Sequence, residues 1–153
     1  VMNIIKCTNE DYGEKVRKYK ESIPHDNLES SRKEEAERVC NGVGTLCDRE
    51  IGGTIMYAAM DGDICKGVAR ISTHRDIWNL DHISAYHGAG GEIIMYIIEE
   101  ARTKNITKIT LSASGDGVNA QSRQESTDKL VSHYAKFGFK GTTSSPNRME
   151  CRL

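Results

Sequence analysis

Apolar positions recur at helical intervals in some stretches of the chain and form β-branched runs in others, and these two patterns predict different elements. Helical spacing predicts helices over residues 10–23, 30–42, 92–105 and 130–141. Apolar and β-branched runs predict strands over residues 2–7, 53–73, 76–84, 106–114 and 147–153. An Asp61-Gly62 turn divides the second of these ranges into a hairpin, so the predicted order is β-α-α-β-β-β-α-β-α-β.

This order predicts a single domain over residues 1–153 with an α+β, mixed α/β architecture. The strands between residues 53 and 84 are expected to form an antiparallel meander, followed by a β-α-β crossover to the strand at 106–114, with helices flanking the sheet. The polar residues 115–129 are expected to form a loop with a frayed helix start. The short helix after them is expected to end at Gly138.

The overall composition argues against several classes of protein. The formal net charge is −1 with 28% charged residues, so no overall basic field indicates general nucleic-acid binding. The apolar runs are too short for a membrane span, and residues 1–20 carry no apolar signal-peptide core. The 5 cysteines are an odd number without CxxC spacing, so we expect no metal site and reduced thiols in a cytoplasmic protein.

The stretch YHGAGGEII, residues 86–94, places a cluster of glycines between a predicted strand and a predicted helix. Unpaired N–H groups and the dipole at such a helix start favour an anion, most often a phosphate. A dinucleotide fingerprint is excluded because Ile93 stands where its third glycine belongs, and no Gly-Lys-Ser/Thr is present for a Walker A loop. On this cluster alone, a phosphate site and a turn without a ligand stay equally open.

Two motifs give the chain from about residue 53 onward a resemblance to the GCN5-related N-acetyltransferase (GNAT) superfamily. AYHGAGG carries Gly88-Ala89-Gly90 in the frame of the superfamily motif Gln/Arg-x-x-Gly-x-Gly/Ala. Downstream, YAKFGF carries Tyr134, Gly138 and Phe139 in the frame of the motif Tyr-x-x-x-Gly-Phe. The resemblance implies a GNAT-like mixed sheet and acetyl-CoA as the cosubstrate, without a metal.

The resemblance also implies which residues contact the cofactor. Backbone groups around the glycine cluster would hold the pyrophosphate, at His87, Gly88, Ala89, Gly90, Gly91 and Glu92. Backbone groups of the preceding strand would hold the pantetheine arm and the carbonyl, at Ile83, Ser84 and Ala85. The superfamily's Gln or Arg falls on Ala85, so His87 is the basic residue left near this position. The carboxylate of Glu92 is unfavourable beside phosphates unless it points away from them.

Acetyl transfer to an amine also needs proton donors and acceptors. Tyr134 is the candidate general acid, because a phenol is protonated at neutral pH and donates to a leaving thiolate. The alternative is a core tyrosine. Asp81 and His82 are candidate bases, and the strand period predicts that they face opposite sides, so only one faces the acceptor. Imidazole suits proton transfer near neutral pH, although packing of His82 against a helix stays open.

Together these features predict an acetyl-CoA-dependent N-acetyltransferase in which a primary amine attacks the thioester directly. The acceptor stays open between a small molecule, a protein lysine, an N-terminus and an aminoacylated tRNA, because fold does not determine acceptor identity. The alternative is a non-catalytic acyl-CoA-binding or protein-interaction module with the same fold. The resemblance also allows a homodimer.

Overall fold

The computed structural model describes residues 2–41, 44–114, 119–142, 145 and 147–153, which form one sheet flanked by helices. The strands are β1 (Asn3–Lys6), β2 (Ile51–Asp61), β3 (Ile64–His74), β4 (Ile77–Ala85), β5 (Lys108–Ser112), β6 (Lys140–Gly141) and β7 (Arg148–Arg152). The helices are α1 (Tyr12–Ser22), α2 (Glu29–Cys40), α3 (Ala89–Thr103) and α4 (Ala120–Ala135). None of these described helices has the length and apolar character that a bilayer span requires.

The sheet order confirms the predicted mixed architecture. The strands run β1-β2-β3-β4-β5-β7-β6, and every neighbouring pair is antiparallel except the parallel pair β4 and β5. Helix α3 makes the crossover between these two strands, and its buried residues Ile93 and Ile97 join Trp78 in the core on one face. Helices α1 and α2 cover the other face, where Tyr19 and Val39 are fully buried.

The parallel pairing between β4 and β5 stops partway along β4. The register joins Ile77 to Lys108 at one end and Leu80 to Leu111 at the other, whereas β4 continues to Ala85. Beyond Leu80 the two strands no longer pair, so no strand of the described residues lies beside this edge of β4. This leaves a gap in the sheet next to the start of α3.

Helix α3 begins earlier than predicted, at Ala89 rather than residue 92, and the glycine cluster explains the difference. His87 has φ 51° and Gly88 has φ 83°, so the turn into the helix uses the left-handed region at consecutive residues. Gly91 lies within the first turn, where a Cβ would meet the Phe137 ring at 3.2 Å. The cluster therefore serves both a sharp turn and a close approach of α3 to the segment after α4.

The predicted loop at 115–129 is wrong over its described part, because α4 begins at Ala120. The Asn119 side chain accepts a hydrogen bond from the Ser122 N–H at 2.8 Å, and the Ser122 hydroxyl accepts one from the Asn119 N–H at 3.1 Å. This reciprocal cap fixes the helix start. Helix α4 is mostly exposed, so its sequence carries little apolar periodicity, and residues 115–118 lie outside the described residues.

Replacing Asn119 with Ala should lower the free energy of unfolding by about 1 kcal/mol, because the helix loses its side-chain cap. Urea denaturation measures the change. Gln121→Ala is the control on the same exposed helix surface, and its effect should stay within about 0.5 kcal/mol. An unchanged urea midpoint for Asn119→Ala would show that the cap does not stabilise α4.

Candidate active site

The unpaired edge of β4 presents backbone groups to the gap. The Tyr86 N–H donates to the Lys66 carbonyl of β3 at 3.1 Å. Because backbone groups alternate along a strand, the peptide N–H of Ser84 also faces β3, whereas those of Ile83 and Ala85 face the gap. Of the predicted strand contacts, Ile83 and Ala85 are therefore the two whose backbone groups face the gap.

Ser84 has a different position from its neighbours. Its hydroxyl lies 2.7 Å from the Tyr19 hydroxyl of α1 and donates to the Arg32 carbonyl of α2 at 2.9 Å. The side chain is 5% exposed and the peptide N–H faces β3, so the residue is turned away from the gap. Ser84 holds both helices against β4 rather than offering a group to a ligand.

A β-bulge in β4 corrects the prediction that Asp81 and His82 face opposite sides. The register with β3 slips by one residue between Leu80 and His82, which leaves Asp81 as the extra residue. Asp81 contacts Arg70, whose guanidinium also reaches carbonyls at the end of α2, and His82 contacts Glu35 of α2. Both side chains therefore lie on the α2 side, because the bulge breaks the period of two.

The start of α3 adjoins the open end of β4. A Cβ at Gly90 would lie 3.5 Å from the Cβ of Ala85. No side chain caps the helix within the described part of the chain, and the N–H groups of Ala89 and Glu92 already donate to backbone carbonyls, at 3.2 and 3.4 Å. The N–H groups of Gly90 and Gly91 are the ones available to an anion there.

His87 and Glu92 flank these donors, and both side chains are exposed. The His87 ring stands edge-on to the buried Tyr86 ring, with centroids 4.9 Å apart. It lies directly before the helix start, where a basic group favours a phosphate. Glu92 is the one acidic residue in the first turn of α3.

A cleft of about 880 Å³ lies between the open end of the sheet and helices α2 and α4. The elements that line it contribute Leu28, Ser31, Glu35, Leu80, Asp81, His82, Ile83, Leu111, Ser126, Leu130, His133 and Tyr134, among others. Both candidate bases and the candidate acid thus border one space. A separate depression of about 820 Å³ lies near the start of β4, and none of the predicted site residues lines it.

Tyr134 combines core packing with a place in the cleft. It is 8% exposed, and its ring stands edge-on to Phe139 with centroids 6.1 Å apart. Burial, with a smaller effect of the Glu35 charge, raises the pKa of Tyr134 to about 12. The phenol therefore stays protonated through neutral and moderately alkaline pH, which is the state that a proton donor needs.

Glu35 is the site residue that the sequence pattern did not indicate. Residues 32–38 read as a solvated helix face, yet the Glu35 side chain is 27% exposed and its Oε1 lies 2.8 Å from His82 Nδ1. Leu28, Ser31 and Glu35 follow one helical stripe and all line the cleft. That helical spacing could have indicated Glu35 from the sequence, since it separates this residue from the exposed acids on the opposite side of α2.

No protein-family model matches the sequence, and no curated protein matches it. Solved structures do match, at identities low enough that the likeness concerns the fold. The PaiA N-acetyltransferase of Thermoplasma acidophilum, in complex with coenzyme A, is 16% identical with a TM-score of 0.58, covering 100% of this chain and 99% of that one. GCN5 of Tetrahymena is 11% identical with a TM-score of 0.63, and the match covers 99% of this chain and 96% of that one. A GNAT-family acetyltransferase of Brucella melitensis, in complex with acetyl-CoA, is 16% identical with a TM-score of 0.58. That match covers 100% of this chain and 88% of the other.

The chain therefore has the fold of the GNAT acetyltransferases, as the two sequence motifs predicted.

Proposed function

We propose that this protein is an acetyl-CoA-dependent N-acetyltransferase. The observation that carries the proposal is the gap beyond Leu80 in β4, which lies beside the uncapped start of α3 and opens into the cleft that Tyr134 lines. A thioester cofactor needs donors for its phosphates, an unpaired strand edge for its amide-containing arm and a proton donor for its thiolate. The structures with coenzyme A and acetyl-CoA bound support the choice of cofactor.

The proposed cofactor contacts follow the free backbone groups. The N–H groups of Gly90 and Gly91 bind the pyrophosphate with help from the helix dipole, and His87 supplies the basic group in place of the superfamily's Gln or Arg. The peptide groups of Ile83 and Ala85 pair with the pantetheine arm as an added strand would. Gly88 and Ala89 shape the turn. The exposed Glu92 side chain leaves the donors free by pointing to solvent.

In the proposed reaction both substrates bind together in the cleft and the amine attacks the thioester carbonyl directly. Holding the two reactants side by side contributes much of the rate enhancement. The C–N bond forms, the C–S bond breaks, and the departing thiolate takes the proton of the Tyr134 hydroxyl. The surplus proton on the new amide nitrogen then returns to the Tyr134 phenolate. The acceptor is a primary amine of a small molecule, a protein lysine or an N-terminus.

We also propose that the chain is one functional domain working in the cytoplasm. The cysteines are free thiols, and Cys7, Cys65 and Cys151 are buried. Burial raises the pKa of Cys7 to about 12 and raises those of the other two, so these thiols are unreactive and suit a reducing compartment.

Gly90→Glu should weaken acetyl-CoA binding tenfold or more in isothermal titration calorimetry, because a carboxylate is added beside the pyrophosphate donors. Position 90 suits the test because a Cβ there meets only Ala85, at an ordinary 3.5 Å. Gly88 has φ 83°, so any side chain there would strain the backbone as well as add charge.

Gly13→Glu is the matched control, since Gly13 is also the second residue of a helix and a Cβ there meets nothing within 4 Å. It should bind acetyl-CoA as the wild type does. A folded wild type that binds neither acetyl-CoA nor coenzyme A would contradict the proposed function.

One observation favours a second candidate function, a non-catalytic acyl-CoA-binding module. Ala85 stands where the superfamily places Gln or Arg, so one basic contribution to the phosphate site is missing. Such a module would bind acetyl-CoA but release no coenzyme A in the presence of amines. It would also be indifferent to loss of the Tyr134 hydroxyl.

A further inference from the structure

His82 and Glu35 form a hydrogen-bonded pair inside the cleft. His82 Nδ1 lies 2.8 Å from Glu35 Oε1, and the two side chains are 31% and 27% exposed. A carboxylate oxygen only accepts hydrogen bonds, so Nδ1 carries the hydrogen in this contact. The lone pair of the neutral ring is then on Nε2, in a residue that lines the same cleft as Tyr134.

We propose that His82 is the general base of the acetyl transfer and that Glu35 is its positioning residue. This inference rests on the proposed function, because it assigns roles in that reaction. Glu35 holds the imidazole in the tautomer with Nε2 free and stabilises the imidazolium that forms, as a carboxylate does for histidine in hydrolytic triads. Asp81 is less suited to the role, since Asn79 and Arg70 already contact its carboxylate.

Helix α2 is attached to the sheet on both sides of Glu35. On one side, the Ser84 hydroxyl donates to the Arg32 carbonyl at 2.9 Å. On the other, the Arg70 guanidinium of β3 donates to the Val39 carbonyl at 3.4 Å and to the Asn41 carbonyl. These contacts fix the height of Glu35 above β4, so the pair is held in place before substrate binds.

The second oxygen of Glu35 is also occupied. Arg38 Nη1 donates to Glu35 Oε2 at 2.8 Å, one turn along the same helix. With one oxygen on Arg38 and the other on His82, both oxygens of the carboxylate have partners that favour this orientation toward the imidazole.

The proton balance of the proposed step is complete. The amine arrives as an ammonium, and His82 Nε2 takes one proton to give the neutral amine and an imidazolium. The amine nitrogen attacks the thioester carbon, the C–S bond breaks, and Tyr134 protonates the thiolate. The surplus proton on the new amide nitrogen returns to the Tyr134 phenolate, and His82 releases its proton to solvent. The products are the acetylated amine, coenzyme A and one proton.

Charged and titratable groups face His82 from each element packed around it. They are Glu35 and Arg38 of α2, Arg70 of β3, Asp81 of β4, and Lys129, His133 and Tyr134 of α4. Burial lowers the pKa of His133, so that ring also titrates on the acid side. Among the described residues, the Glu35 carboxylate is the group that hydrogen-bonds the His82 ring.

The test compares the wild type with the variants His82→Asn, Glu35→Gln and Glu34→Gln. Each protein receives acetyl-CoA and one of three amines, which are n-butylamine, Nα-acetyl-lysine amide and an alanyl tripeptide. Chromatography measures the release of coenzyme A. His82→Asn keeps an N–H at the Nδ1 position for Glu35 and should lower kcat/KM about 100-fold. Glu35→Gln should lower kcat/KM about tenfold, because the imidazolium that forms loses its carboxylate partner. Glu34→Gln is the control on the exposed side of α2, and its kcat/KM should match that of the wild type. The affinity for acetyl-CoA should be unchanged in all three variants.

The outcomes separate this inference from the proposed function. A wild type that releases coenzyme A while His82→Asn is unaffected would overturn the base assignment alone. A wild type inactive with every amine would overturn the proposed function and the base with it. Nitrogen-15 NMR of the wild type adds a readout that needs no turnover: hydrogen on Nδ1 supports the pair, and hydrogen on Nε2 alone overturns it.

Discussion

Replacing Tyr134 with Phe should lower kcat about 10³-fold and leave the acetyl-CoA dissociation constant within a factor of two. The change removes a hydroxyl and keeps the ring, which is 8% exposed and packs against Phe139. Loss of a positioned proton donor costs about 10²–10⁴ in rate, because the thiolate must leave without a proton. Steady-state release of coenzyme A gives kcat, and calorimetry gives the dissociation constant.

The pH profile gives an independent check on the same residue. Burial and the Glu35 charge raise the pKa of Tyr134 to about 12, and a raised pKa keeps a phenol protonated to higher pH. The wild type should therefore lose this acid only as the pH approaches 12, and kcat should show no falling alkaline limb up to about pH 10. An alkaline limb at lower pH that disappears in Tyr134→Phe would contradict the pKa assigned to this group.

Tyr96→Phe is the matched control, because Tyr96 is an exposed tyrosine of α3 outside the cleft. Its kcat should stay within a factor of two of the wild type. A Tyr134→Phe enzyme as fast as this control would remove Tyr134 from the mechanism and leave it as a core residue. If the wild type itself binds acetyl-CoA without turnover, the binding-module function is the better account.

The elements that could be predicted are those whose buried residues form a regular apolar pattern in the sequence. Helix α3 buries Ile93, Ile94, Ile97 and Ile98 on one stripe, and the strands of the meander carry long apolar runs, so both were found. Helix α4 was missed over most of its length because it buries so little. Its start depends on the Asn119 cap, which is a local hydrogen-bond arrangement rather than a periodic pattern.

The site could be predicted in part for the same reason. The glycine cluster and Tyr134 stand in motifs of fixed spacing, so the sequence located them. No sequence motif indicates the bulge at Asp81, because an extra residue in a strand is recognised only when the pairing of that strand with β3 is known. Without the bulge, Asp81 and His82 fall on opposite faces, and the contact between His82 and Glu35 across 47 positions of sequence stays hidden.

Gly67→Ala should destabilise the protein by about 2 kcal/mol, although alanine in place of glycine within a strand is usually favourable. A Cβ at position 67 would lie 2.8 Å from the Cβ of Ala85 and 3.0 Å from Cδ1 of Ile93. Overpacking of this kind costs about 1–3 kcal/mol, and two contacts this short place the cost near the upper end. The gain in backbone entropy is about 0.5–1 kcal/mol, so packing decides the sign. Urea denaturation measures the net change.

Gly13→Ala is the control with the opposite expected sign, since a Cβ there meets nothing within 4 Å and the helix gains about 0.5–1 kcal/mol. The Gly67 contacts join the end of β4 to α3, so any relief of the clash separates Ala85 from the helix start. Acetyl-CoA binding should then weaken in Gly67→Ala and stay unchanged in Gly13→Ala. A stabilised Gly67→Ala protein with full affinity would show that α3 adjusts freely, and that the proposed pyrophosphate site does not depend on its close packing against β3.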